Sequence, residues 1–437
     1  MGGGLLQLAA YGAQDLFLTG NPQMSFFIAV YKRHTNFSME SINQEFIGNN
    51  GFGEKLTCNL DRIGDLITQI FVNVKIPSLE DLEIEDTQVV GWVNDLGYSL
   101  IEYAEIDIGG TIIDKQYGIW MGIWYELTTP HSKRYAGDIL IGKDRILSND
   151  PSTRNKSFNL YIPLQFWFCR HEGLALPLIA LQHHEVKINI KFRRLDELWQ
   201  SSNGKFNQEI CTKICKKKYE IQSSSLKVDY MFLENEERKM FVQRKHNYLI
   251  EQLQINTESF QTGQTDIIFN LNLSHPVKEL FFIVQNRDCI LKNDTLSKIK
   301  GNEWFNFSDR SLSDTTIGPG GGNQITDPII SAELQFEGNQ RFEKKENIYF
   351  RLQQPFQYHT VTPEQHFVYC YSFSLHPERL QPSGTCNFSR IDNTDFMIKL
   401  VGDDTNGFMK DPQIILFALN YNVLQIASGM AGLAYVN

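Results

Sequence analysis

The 437-residue chain has no apolar run approaching the roughly 18 to 20 residues that a membrane-spanning helix needs. Basic residues are outnumbered, 41 Lys and Arg against 51 Asp and Glu, for a formal charge of -10. Phosphate neutralisation demands the opposite balance, so direct nucleic-acid binding is not expected. The seven cysteines, Cys58, Cys169, Cys211, Cys215, Cys289, Cys370 and Cys386, lack the regular spacing of a disulfide-dense secreted domain. They fit a reducing compartment. The opening MGGGLLQLAAYGAQDLFL has no basic region and is broken by Gln7, Gln14 and Asp15, which reads against a signal peptide. Gly2 invites myristoylation, but Leu6 stands where that pattern wants Ser or Thr. A soluble, unprocessed chain is the expectation.

Catalytic and metal-binding signatures are missing as well. There is no P-loop, no H-E-x-x-H and no G-x-S-x-G elbow, the near miss around Ser428 having the wrong spacing. No H-x-H occurs, and the adjacent His183 and His184, read as strand residues, would point to opposite faces and could not grip one ion. Cys211 and Cys215 have no second ligand pair nearby. No catalytic residue, cofactor or metal ligand is therefore assigned. Carboxylate pairs for glycoside hydrolysis could be assembled from the 51 acidic residues, which keeps a carbohydrate-active or glycan-binding β-sandwich as the rival class. It predicts a cleft lined by exposed aromatics.

What is present is material for large β cores. Hydrophobic residues make up 42% and aromatics 12%, with 30 Phe and 17 Tyr, side chains that favour strands and bury large areas. The length exceeds one ordinary core, so two domains are expected. Period-2 alternation recurs: Ile70, Val72, Val74 and Ile76 oppose Gln69, Asn73 and Lys75, and Val186, Ile188, Ile190 and Phe192 oppose Lys187, Asn189 and Lys191. Further strands are read at Phe158 to Leu164, Leu226 to Leu233, Ile267 to Leu273, and Phe367 to Leu375 with Phe367, Tyr369, Tyr371, Phe373 and Leu375 inward. Helical spacing is rare; Tyr117, Trp120, Met121, Trp124 and Leu127 predict one short helix across a sandwich edge. Long loops are read at Ser78 to Ser99, Pro130 to Ser157, Asp196 to Ser225 and Asn286 to Asp327. This is sandwich anatomy.

A faint internal repeat supports duplication. AEIDIGGTIIDK from Ala104 resembles AELQFEGNQRFEKK from Ala332, and a strand at Phe158 to Phe168 followed by His171, Leu176 and Pro177 resembles Phe367 to Leu375 followed by His376, Leu380 and Pro382. The charged ENEERK from Glu234 reads as the link between halves.

Several longer blocks carry a family resemblance: GLLQLAAYGAQDLFLTGNPQMSFFIAVYKRHTNFS from Gly4, GDLIT from Gly64, the E-I-x-I-G-G-x-x-I-D-K pattern from Glu105, GLALPLIALQHHEVK from Gly173, YLIEQLQ from Tyr248, QPSGTCNFSRID from Gln381, and NYNVLQIASGMAGLAYVN from Asn420. In that order they resemble the major capsid proteins of nucleocytoplasmic large DNA viruses, in particular the chlorella-virus and mimivirus-like branches. The resemblance implies an all-β double jelly roll, two tandem eight-stranded antiparallel sandwiches with short helices in the connections, and no enzyme. It divides the chain into an N-terminal arm (1–24), a first jelly roll (25–235) and a second (236–437). It further implies a homotrimeric, pseudo-hexagonal capsomer tiling the outer shell of an icosahedral virion, assembled in the host cytoplasm. Its partners would be neighbouring capsomers, penton and minor capsid proteins, with an inner membrane beneath the shell.

Candidate contact residues follow from the same reading. Thr19-Gly20-Asn21-Pro22 is a turn by composition, placed before a strand beginning near Phe26, and the resemblance puts Asn21 and Pro22 at the inner side. The end of the chain supplies a core strand with Val423 and Ile426, then Gly429, Gly432 and Tyr435 as inter-subunit candidates. Sequons occur at Asn36, Asn155, Asn272, Asn293, Asn306 and Asn387; Asn293 and Asn306, in the long loop, are the preferred glycan positions.

Overall fold

The structure, a computed structural model, describes residues 3–10, 12–15, 19–22, 33–79, 90–143, 156–201, 219–286, 302–308, 327–363, 367–403, 407–408 and 411–435. It divides into two units, Met1–Phe37 and Ser38–Asn437. The first unit carries a short helix α1 (Gly3–Ala9) and a bend at Gly20 and Asn21, where Asn21 takes a positive φ of 50°. The strand expected near Phe26 lies outside the described residues.

The second unit contains two sandwiches. The first is built from β1 (Phe37–Glu45), β2 (Lys55–Asn59), β3 (Leu66–Ile76), β4 (Ile101–Ile108), β5 (Thr111–Tyr117), β6 (Phe158–Pro163), β7 (Val186–Phe192) and β8 (Ser223–Leu233). The other comprises β9 (His246–Ser259), β10 (Asp266–Asn270), β11 (Pro276–Asn286), β12 (Ile329–Phe336), β13 (Asn339–Glu346), β14 (Tyr369–Ser372), β15 (Thr394–Leu400) and β16 (Pro412–Ala427). Sheet orders are β1-β8-β3-β6 and β2-β7-β4-β5 in the first, β9-β16-β11-β14 and β10-β15-β12-β13 in the second. The permutation is the same, and it is the jelly roll: each strand's neighbours in one half are its counterpart's neighbours in the other. The expected all-β double jelly roll is the fold.

The period-2 readings explain the walls. In β3 the residues Ile70, Val72, Val74 and Ile76 are buried while Gln69 and Lys75 are exposed, and β7 alternates buried and half-buried along its whole length. Full burial of each such aliphatic side chain contributes roughly 1.5–3 kcal/mol, so one correctly phased strand contributes substantially to holding its sheet in register. Ala104 on β4 and Ala332 on β12 occupy corresponding strands, so the repeat is structural. Its second part needs realignment. Leu176–Pro177 pairs with the start of β3, and the segment that pairs likewise with the start of β11 is Cys386–Asn387, not Leu380 and Pro382.

Other expectations are corrected where tertiary contacts compete with local pattern. The strand read through Phe168 ends at Pro163, and Trp167–Arg170 is a helical turn. In the second half only Tyr369–Ser372 is strand; Leu375 is 66% exposed, while Val368 and Cys370, on the opposite face from Tyr369, are buried too. At the end of β16, Leu424 and Ile426 are buried and Val423 only half so. The loop after Pro130 holds a helix, α3 (His131–Ile141). His183 and His184 sit in a turn before β7, not on a strand. The charged link forms helix α4 (Asn235–Gln243) before β9.

Candidate functional site

The predicted helix is α2 (Gly118–Thr128), and its tertiary setting differs from the one expected: it is packed between the two sandwiches, buried from Gly118 to Leu127. Helical spacing brings Trp120 and Trp124 to one face. Trp120, fully buried, meets Phe281 of β11 at 4.9 Å between ring centroids and Phe417 of β16 at 5.6 Å. Gly122 passes so close to Phe305 that a Cβ there would overlap the ring. The main chain closes the join where Val361 N–H donates to Leu127 O at 2.9 Å.

Beside this apolar contact lies a buried polar one. Glu251 on β9 is flanked by two cations, Arg170 at 2.7 Å and Lys278, which also donates to Pro377 O at 2.7 Å. Both cations lie over the Trp124 ring, Arg170 at 4.5 Å and Lys278 at 5.9 Å from its centroid. Burial lowers the Lys278 pKa and Glu251 works against that fall. Asp114 on β5 accepts from Leu253 N–H of β9 at 3.1 Å and from Gln116 Nε2 at 2.9 Å. Burial nevertheless pushes its pKa up to about 6, the hydrogen bonds and Arg170 offsetting only part. The apolar packing thus crosses the join: Phe281, Ile283, Phe417 and Leu419 of the second half belong to the hydrophobic cluster of the first, while the interior of the second sandwich forms its own cluster.

The described part of the long loop, 302–308, is a second tie. Asn302 Nδ2 donates to Trp199 O at 2.9 Å and Trp304 Nε1 to Glu197 O at 2.9 Å, while the Arg193 guanidinium stacks 3.9 Å above the Trp304 ring. Burial lowers the Arg193 pKa to about 10.

The counterpart of α2 behaves differently. After β13 the chain makes a π turn, Tyr349–Gln353, that runs into a short helix, Gln354–Tyr358. Phe356 there is 83% exposed, Ile348 is also exposed, and β13 itself has no buried residue. This is the open equivalent of the face that α2 and β5 bury, and hence the candidate assembly surface.

The residues singled out from sequence are dispersed. Asn21 and Pro22 are exposed in the first unit. Gly429, at φ 79°, accepts from His183 N–H at 2.9 Å, and a Cβ would overlap the His183 ring, so it closely approaches this chain's own first sandwich. Ala431 N–H donates to His184 Nδ1 at 3.2 Å, which occupies that histidine. Gly432 pairs with Gln425, and Tyr435 is exposed. Asn293, Cys211 and Cys215 lie outside the described residues. Asn306 is buried: its Nδ2 donates to Glu303 at 2.6 Å and its Oδ1 accepts from Ser308. That geometry disfavours a glycan at Asn306 in the folded chain. Among the described residues one group could hold a metal, Glu279, His359 and Cys370, far apart in sequence. No helix among the described residues is long and apolar enough to cross a membrane.

A double jelly roll whose two sandwiches are joined through α2, with an open edge at β13 and Phe356, is the architecture of a structural building block. Residues 25–234 match the major capsid protein N-terminus family, and residues 237–432 match the large eukaryotic DNA virus major capsid protein family. The chain belongs to the major capsid proteins of large eukaryotic DNA viruses, structural components of the virion shell and not enzymes. It is 39% identical to the major capsid protein of Pyramimonas orientalis virus and 37% identical to that of Phaeocystis pouchetii virus, each comparison covering 100% of both chains. Among solved structures it is similar to the subunit of the PBCV-1 virus capsid quasi-atomic model, at 31% identity and a TM-score of 0.73, covering 94% of this chain and 100% of that one.

Proposed function

We propose that three copies of this chain close into a pseudo-hexagonal capsomer that tiles the icosahedral shell of a large DNA virus. One observation carries the reading: the two halves share a topology, yet the α2 and β5 face of the first is covered by the second sandwich while the equivalent face of the second, with Phe356 and β13, is open. Repeating the internal contact between chains covers that face with the next subunit's first sandwich. Three such heterologous contacts close a ring and leave no open end. An obligate interface of this kind buries about 2,000–5,000 Å².

In this reading the arm is 1–24 and the jelly rolls are 25–235 and 236–437, with Asn21, Pro22, Gly429, Gly432 and Tyr435 as inner-side or inter-subunit contacts. Neighbouring capsomers, penton and minor capsid proteins complete the shell over an inner membrane, assembly occurs in the host cytoplasm, and the acidic chain does not grip the genome. Asn293 is the remaining preferred glycan position. Light scattering on a sizing column tests the assembly step. A trimer appears at about 151 kDa, three times the 50.4 kDa chain; a monomer at every concentration overturns the self-sufficient capsomer.

A further inference from the structure

We propose that Glu279, His359 and Cys370 form a structural binding site for a zinc-class divalent cation on the face of the second sandwich that meets α2. A carboxylate oxygen, a ring nitrogen and Cys370 Sγ lie within 4.8 Å of one another. Imidazole, thiolate and carboxylate together are the donor set of zinc, which bonds nitrogen, oxygen and sulfur at about 2.0–2.3 Å.

Two further observations point to a cation. The His359 ring is oriented from behind: its Nδ1–H donates to Glu378 Oε1 at 2.9 Å, and Glu378 is itself held by Thr360 N–H at 2.9 Å. A carboxylate on the far nitrogen is the usual support of a metal-bound histidine, leaving Nε2 as the ligand atom. Nε2 faces Glu279 Oε1 at 2.7 Å. The second observation is Glu279 Oε2, which is buried with no hydrogen-bond partner on a fully buried residue. An unpaired carboxylate oxygen in a dry interior is costly, and a bound cation supplies the missing partner. Coordination replaces the Nε2 proton and the Cys370 Sγ proton by the metal, and both protons leave to solvent.

The location assigns the ion a role. Glu279 lies on β11, Cys370 on β14, and His359 follows the helix that ends at Tyr358. Two residues later Val361 bonds Leu127 O of α2. The ion would therefore pin the connection that braces α2 to the sheet on which α2 rests.

The test uses the full chain produced in cobalt-supplemented medium and purified without a histidine tag. Cobalt in place of zinc reports its ligands through a thiolate-to-metal charge-transfer band. The wild-type chain is expected to carry one cobalt with that band. Cys370→Ala loses the band, and Glu378→Gln, which removes only the support, weakens metal affinity about ten- to a hundred-fold while keeping it. A wild-type chain without the band overturns the site whether or not the variants fold. So does a band that survives in Cys370→Ala, since the thiolate is then another cysteine.

Discussion

The β5 strand with α2 in the first half and the β13 strand with the 349–358 helical segment in the second occupy the same place in one topology, yet one pair is buried and the other is exposed. In β5, Ile113, Asp114 and Gln116 are buried, whereas β13 reads Asn-Gln-Arg-Phe-Glu-Lys-Lys-Glu with only Phe342 and Lys345 half-buried. Trp120 and Trp124 are large apolar plugs with a matching socket in Phe281 and Phe417, while the corresponding segment of the second half presents Phe356 to solvent. Duplicated topology therefore does not imply duplicated energetics. The contact made within the chain joins the two halves permanently; the contact proposed between chains would join subunits that have already folded.

The most damaging way to break this contrast is Trp120→Ala, which leaves a void between the two sandwiches. It should lower unfolding free energy by about 3–5 kcal/mol in urea melts, and a loss below about 1 kcal/mol would mean the halves do not share a core. Next is Glu251→Gln, which leaves Lys278 and Arg170 facing each other without their carboxylate. A cost of about 3 kcal/mol is expected from stranding a buried cation, and Lys278→Met in the same background should recover part of it.

Asp114 sharpens the comparison through pH. Its carboxyl has a higher pKa folded, about 6, than the ordinary 3.8, so the folded state holds the proton more tightly. Stability must then fall as pH rises from about 4 through about 6 and stay lower above, by on the order of 3 kcal/mol for two units. Asp114→Asn keeps an acceptor for Leu253 N–H and removes this component. Wild-type stability minus variant stability should therefore fall by about that amount as pH rises across the range; parallel curves would refute the burial argument. Smallest in stability is Phe356→Ala, within about 0.5 kcal/mol because the ring is exposed. In light scattering, however, that variant should shift the trimer towards monomer, and an unaffected trimer would place the subunit contact elsewhere.

Sequence pattern was most informative where one face of a strand meets one core. β3 and β7 follow their alternation residue by residue. It failed where a strand is buried on both faces: β11 is buried from Val277 to Asn286 and shows no alternation, and in β14 the alternation marked Tyr369 and Tyr371 but missed the burial of Cys370 on the other face. The helix was legible from its apolar stripe, but its partners were not, because nothing local distinguishes packing on a sandwich edge from packing between two sandwiches. One signal was available and unused: Lys278 and Glu279 adjoin an apolar run, and charges there call for buried partners.

The family blocks, the two-domain length and the period-2 strands are properties of the chain read in order, and they determined the class, the double jelly roll and the absence of enzymatic motifs. Which face became the internal join, which stayed open, and that Glu279, His359 and Cys370 meet at all were decided by the tertiary structure. The reason is physical: strand phase depends on neighbours two residues away, whereas desolvation, ion pairing and coordination depend on groups that only folding brings within a few ångström.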